Sequence, residues 1–96
     1  MAEFRLTPAA LQDLEDIWRY SVQQWGIAQA ERYVDALHAR LSDLAAAPFS
    51  APSCDSIRPG YRQLRAEHHV AYYMIQSETV VVIRILHERM DVHRHL

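Results

Sequence analysis

Over residues 8–47 the apolar side chains recur at steps of three and four; beyond Gly60 they alternate or run together. This change of period restricts the chain to helices first and strands afterwards, the pattern of an α+β domain. Thr7-Pro8 marks the first helix start, because a threonine hydroxyl caps free amides and proline fits the first turn. Ala10, Leu14, Ile17, Trp18, Ser21 and Trp25 form its inner stripe, and Gln12, Asp13, Glu15, Asp16, Arg19 and Gln23 its wet side. Glu15 and Arg19 are spaced as a helical ion pair. Gly26 ends the helix and a second begins at once. Its stripe is Ile27, Ala30, Val34, Leu37, Leu41 and Leu44, and it stops before Pro48. Two amphipathic helices joined by one glycine make a hairpin that needs a surface to cover.

That surface comes from both ends of the chain. Glu3-Phe4-Arg5-Leu6 alternates as a short strand. After an irregular connection over residues 47–59, with three prolines and three serines, three strands are expected at residues 61–67, 69–76 and 79–87. Their gaps are short enough for hairpins, so they form an antiparallel meander. In the last strand, TVVVIRILH, the alternation predicts Val81, Ile83 and Ile85 against the helices and Val82, Arg84 and Leu86 on the other face. The order is strand–helix–helix–strand–strand–strand: a helical hairpin on a small antiparallel sheet.

Ninety-six residues, half of them apolar, suffice for one domain spanning 1–96 with one modest core. A single cysteine, Cys54, excludes an internal disulfide and indicates a reducing compartment. No signal peptide or membrane-spanning run is visible, so a soluble cytoplasmic protein is expected. All ten basic residues are arginines. Residues 1–57 carry four of them against eight acids, and residues 58–96 carry six against four, with five of the six histidines. The total of −2 does not favour general attraction to nucleic acid. The acids Asp13, Glu15 and Asp16 further argue against a DNA-reading helix.

Arg84 stands out, since a charge inside an apolar run must be exposed or paired; Glu67 and Glu78 are the nearest candidates. The stretch from His87 to His95 crowds ionisable groups. His87, Asp91, His93 and His95 have no established metal-ligand spacing, so no metal is assigned. Histidines there titrate near neutrality and allow acid–base chemistry on RNA, or a basic surface that grips a macromolecule. Cys54 has no histidine beside it and reads as a small surface residue.

The segments LTPAALQDLEDIWRYSVQQWG, QAERYVDAL, IRPGYRQL, HVAYY and VVVIRILHERMDVHRHL, in this order, resemble the ParE toxins of the RelE/ParE superfamily. The resemblance spans nearly the whole chain and implies the same strand–helix–helix–strands fold. It implies a growth-inhibiting toxin of a toxin–antitoxin system that acts on DNA gyrase by binding, without catalysis or cofactor. A cognate ParD-like antitoxin, with a ribbon-helix-helix part and a tail that wraps the toxin, would neutralise it. Neither direct specific DNA binding nor a membrane is implied.

On this reading His87, Arg89, Met90, Asp91, His93 and Arg94 contact the target, and Arg62, Arg65 and Arg84 meet an acidic antitoxin tail. Deleting residues 90–96 is expected to leave the fold intact. The alternative is a ribosome-dependent messenger ribonuclease of RelE type, with His87, Arg89 and His93 at the chemistry. Such relatives use lysines, which this chain lacks. A third alternative is a non-toxic module that only binds the antitoxin.

Overall fold

The computed structural model describes residues 4–96, so the expected first strand residue, Glu3, lies outside the described residues. Strand β1 covers Phe4–Leu6, followed by helices α1 (Pro8–Trp25) and α2 (Ile27–Ala46). Strands β2 (Arg62–Ala66), β3 (His69–Gln76) and β4 (Thr79–His87) then form the meander, and a one-turn 3₁₀ helix covers Val92–Arg94. The sheet order is β1-β4-β3-β2. The three later strands are antiparallel, as expected, whereas β1 runs parallel to β4 along Val80–Val82. No helix among the described residues is long and apolar enough to cross a membrane.

Local chemistry accounts for the boundaries. The Thr7 hydroxyl accepts from the Ala10 amide at 3.1 Å and donates to the Ile83 carbonyl at 2.8 Å, so the α1 cap also ties the helix to β4. Gly26, at φ +87°, holds a conformation that side-chain-bearing residues avoid, and it lets α2 start directly after α1. With only two glycines, the hairpins place Glu67, Ser77 and Glu78 at positive φ instead. Consecutive positive φ values at Ser77 and Glu78 match the mirror-image turn that a two-residue hairpin requires.

The main core lies between the helices and the sheet and includes Ala10, Ile17, Leu37, Leu41, Leu44, Leu64, Tyr73, Val80, Val82 and Ile85. The expected facing of β4 is corrected here. Val80 and Val82, not Val81 and Ile83, meet the helices, while Ile85 does so as expected. The cause is a bulge: Tyr72 pairs with Arg84 but Tyr73 pairs with Val82, leaving Ile83 as the extra residue that reverses the alternation. Ile27 and Trp25, expected on inner stripes, are more than half exposed at the hairpin tip.

A second, smaller cluster occupies the outer sheet face, where Cys54, Val70, Tyr72 and Leu86 are covered by Ile57, Tyr61, Val92 and Leu96, so Cys54 is buried and not at the surface as expected. The single core expected for this length therefore has a satellite, built by the proline-rich connection and the last residues folding over the sheet. Deletion of residues 90–96 would remove Val92 and Leu96 from this cluster, so the segment contributes to the fold.

Candidate functional site

α1 presents Asp13, Asp16, Ile17, Tyr20 and Ser21 toward one end of the sheet, because steps of three and four keep these positions on one side of a helix. Opposite them stand Tyr33 of α2, His68 and His69 of the β2–β3 hairpin, Ile85 and His87 of β4, and Arg89 and Met90 beyond it. Together they enclose a cleft of about 580 Å³. Tyr20, Trp25 and Met90 line it although each is at least half exposed. Aromatic rings run through it in sequence. Tyr20 meets Trp25 edge-on with centroids 6.3 Å apart, Trp25 meets Tyr33 at 6.1 Å, Tyr33 meets His69 at 5.6 Å, and His69 meets His87 at 5.2 Å.

The polar groups of the cleft are closely paired. The His68 amide donates to the Tyr33 hydroxyl at 3.1 Å, and that hydroxyl lies 2.6 Å from His69 Nδ1. Burial, followed by the neighbouring His87 and His68, pushes the His69 imidazole down to about 4. His69 is thus neutral near pH 7 and hydrogen-bonded through Nδ1 to the Tyr33 hydroxyl. Burial also raises the Tyr33 phenol. Tyr33 and His69 therefore form a neutral, hydrogen-bonded wall. At the rim Glu88 accepts from His68 at 3.0 Å and also pairs with Arg65. The His68 bond is the largest influence holding the Glu88 carboxyl below its usual range. The cleft thus combines exposed large apolar groups with a polar wall whose hydrogen bonds are satisfied.

The six residues expected to contact a target divide among three places. His87, Arg89 and Met90 line the cleft. The His87 Nδ1 accepts from the Arg89 amide at 3.1 Å. Asp91 caps the 3₁₀ turn, accepting from the His93 amide at 3.1 Å, and lies 3.8 Å from Arg94. His93 and Arg94 are exposed on that turn. The grouping of His87, Arg89 and His93 required for ribonuclease chemistry is divided in the same way, since His93 is not part of the cleft lining. Among the described residues, no three His, Cys, Asp or Glu side chains are placed to hold a metal ion.

The three arginines expected at an antitoxin differ in their surroundings. Arg65 is exposed and paired with Glu88, and its carbonyl accepts from Arg40 at 3.1 Å. It lines a second cleft, about 430 Å³, with Arg40, Gln63 and Pro52. Arg62 lies over the exposed Phe49 ring at 5.1 Å and donates to the Phe49 carbonyl at 3.3 Å, while its Nε is buried without a partner. Arg84 donates from Nε and Nη2 to Asp13 at 2.7 and 2.8 Å. Its carboxylate partner is thus Asp13, not Glu67 or Glu78, because α1 crosses the β4 edge where β1 has ended. Asp13 also accepts from the Ile85 amide at 2.9 Å, replacing the missing strand partner there. The expected pair of Arg19 with Glu15 is likewise replaced, by Asp16 at 3.9 Å.

Comparison with known proteins places this architecture. The family model described as "ParE toxin of type II toxin-antitoxin system, parDE" matches residues 4–92. The chain belongs to the ParE toxin family. It is 44% identical over 96 residues to Toxin ParE1 of Mycobacterium tuberculosis, with 99% of this chain and 98% of the relative covered. Toxin ParE1 of Caulobacter vibrioides is 38% identical, covering 100% and 99%. Toxin ParE of Escherichia coli is 37% identical over 92 residues, covering 95% and 89%. A solved structure described as "Chromosomal ParDE TA system from P. aeruginosa" superposes with a TM-score of 0.79 at 22% identity, over 91% of this chain and 96% of that one. The toxin–antitoxin complex RelBE2 of Mycobacterium tuberculosis gives 0.63 at 22%, over 90% and 96%. These two likenesses establish the fold.

Within this ParE-family chain, the cleft residues that sequence reasoning missed are Asp13, Tyr20, Tyr33, His68 and His69. Tyr33 and His69 are 36 positions apart and meet only when the β2–β3 hairpin packs on α2. Tyr20 had no signal beyond lying off the inner stripe of α1, where a large aromatic exposed to water is uncommon.

Proposed function

We propose that this ParE-family chain is a cytoplasmic toxin that inhibits DNA gyrase by binding, without catalysis, and is neutralised by a ParD-like antitoxin. The observation that carries the reading is the match to the ParE family over residues 4–92. The cleft supports it. Its exposed aromatics, rimmed by Asp16, Arg89 and His68, fit the apolar side of an antitoxin helix. The exposed arginines Arg65 and Arg40 suit an acidic continuation of that partner. Target contact is assigned to the exposed side chains that follow β4, namely Arg89, Met90, His93 and Arg94. Tyr33 and His69 are held neutral and bonded to each other, which favours a binding role for the cleft over hydrolysis.

Supercoiling by purified gyrase with and without the purified chain tests the reading. Inhibition with trapped DNA breaks supports it. Unimpaired supercoiling, together with new cleavage sites inside codons of cellular messages, would replace it with the ribonuclease alternative.

A further inference from the structure

Arg84 starts from the outer face of β4, yet its charged end lies at the strand edge between α1 and the last residues of the chain. Nε and Nη2 hold Asp13, and Nη1 donates to the His95 carbonyl at 3.2 Å. One rigid fork therefore spans a helix and the closing segment, a task for which a planar guanidinium is better suited than an ammonium. The segment has few other anchors. Arg58 donates to the Leu96 backbone oxygen at 2.8 Å, and Val92 and Leu96 pack on the outer apolar cluster. Val92 and Leu96 are half-buried against that cluster, whereas the side chains of His93, Arg94 and His95 are exposed and only the His95 carbonyl is held.

We infer that Arg84 is a positioning residue for target recognition: by clasping Asp13 and the His95 carbonyl together, it holds residues 91–96 in the arrangement that displays His93 and Arg94. The inference rests on the proposed gyrase-binding role of this segment. A loose segment would carry the same side chains but would have to be ordered on binding. Ordering even one or two residues weakens association by roughly tenfold.

The test uses the whole chain, gyrase supercoiling, and amide hydrogen exchange. Replacing both members of the pair (Arg84→Met with Asp13→Leu) leaves neither charge stranded, so cooperative unfolding is expected to persist. Exchange at the Arg94, His95 and Leu96 amides, which bond to Asp91 and Val92 carbonyls, should rise about tenfold. Exchange at Tyr73 and Val82 should rise only by the few-fold that the unpaired Ile85 amide costs the whole fold, whereas a merely stabilising role would raise exchange at residues 94–96 and throughout the sheet alike. The concentration for half-inhibition should rise roughly tenfold.

Should the double variant fail to fold, Arg84→Lys serves: one ammonium can stay with Asp13 but cannot span to His95, so inhibition should still weaken. Unchanged inhibition in the folded variant, or unchanged exchange at residues 94–96, overturns the inference. A further variant, His93→Ala with Arg94→Ala, separates the two ideas. If it inhibits gyrase normally, the role of the segment itself is wrong. If it is inactive while the Arg84 variant inhibits normally, only the positioning role is wrong.

Discussion

Asp13→Ala offers the sharpest test of how the helical layer is attached to the sheet. The Asp13 side chain is 11% exposed and that of Arg84 24%, so both charges are largely withdrawn from water. Three hydrogen bonds end on this carboxylate: two from Arg84 and one from the Ile85 amide. The bond from Asp13 is also the largest influence raising the Arg84 guanidinium above its ordinary value. Removing one partner of a buried pair costs about 3–5 kcal/mol, and the partial exposure of Arg84 favours the lower end. The Ile85 amide, left without an acceptor, adds about 1 kcal/mol. The expected loss is thus about 4 kcal/mol, a large part of the ~5–15 kcal/mol available to a small domain. Urea unfolding followed by tryptophan fluorescence measures it. Combined with Arg84→Met in a double-mutant cycle, the pair should show a coupling of about 2 kcal/mol. A loss under about 1 kcal/mol, or strictly additive single changes, would mean that the pair is solvated and that the β4 edge is held by other contacts.

The His69 imidazole should titrate near 4 by NMR. Because its folded value lies below the ordinary 6.5, the stability it contributes is complete above pH 6.5 and is lost as pH falls toward about 4. The stability difference between wild type and His69→Gln should therefore shrink over that range, and a titration near 6.5 would refute the buried neutral assignment. Removing residues 92–96 should cost about 2 kcal/mol, since Val92 and Leu96 each cover part of the outer cluster; denaturant midpoints would show it, and an unchanged midpoint would contradict that packing. Ser77→Asn with Glu78→Gly should add about 1 kcal/mol, because both residues now occupy positive φ at 50° and 65°. A lower melting temperature for that pair would count against the assigned turn.

Much of the fold was legible because local chemistry and tertiary need agree. Thr7-Pro8 caps a helix wherever it packs, Gly26 can occupy a backbone state few residues share, and TVVVIRILH has no plausible solvated form. The bulge at Ile83 was not legible, since nothing in that run distinguishes the extra residue; it follows from α1 engaging the Ile83 carbonyl and Ile85 amide. Asp13 left a trace that the helical stripe obscured. It lies three positions after Ala10 and four before Ile17, both buried, so its carboxylate borders the inner face and requires a cation. Arg84, a charge inside an apolar strand, requires an anion. Each misplaced charge was visible alone, but their pairing across 71 positions depends on where β1 stops. For the cleft, Trp25 read as an inner residue because its spacing is right, yet the stripe continues past the end of the sheet.

Both proposed surfaces depend on β4. His87 closes the aromatic series in the cleft, Met90 stands at its rim, and within a few residues the chain turns to display His93 and Arg94 beside the outer cluster. A partner helix lying on Tyr20, Trp25 and Met90 would cover the cleft end of the proposed target-binding stretch while leaving its other end exposed. On the proposed reading, neutralisation would require no rearrangement of the toxin: occupying Arg89 and Met90 would remove part of the target contact by overlap alone. The same geometry gives a reason for the exposed aromatics. Tyr20, Trp25 and Met90, each at least half exposed, gather at one cleft rather than being scattered over the surface. A partner seated on that surface would bury it, and the affinity of such a complex would derive from that burial.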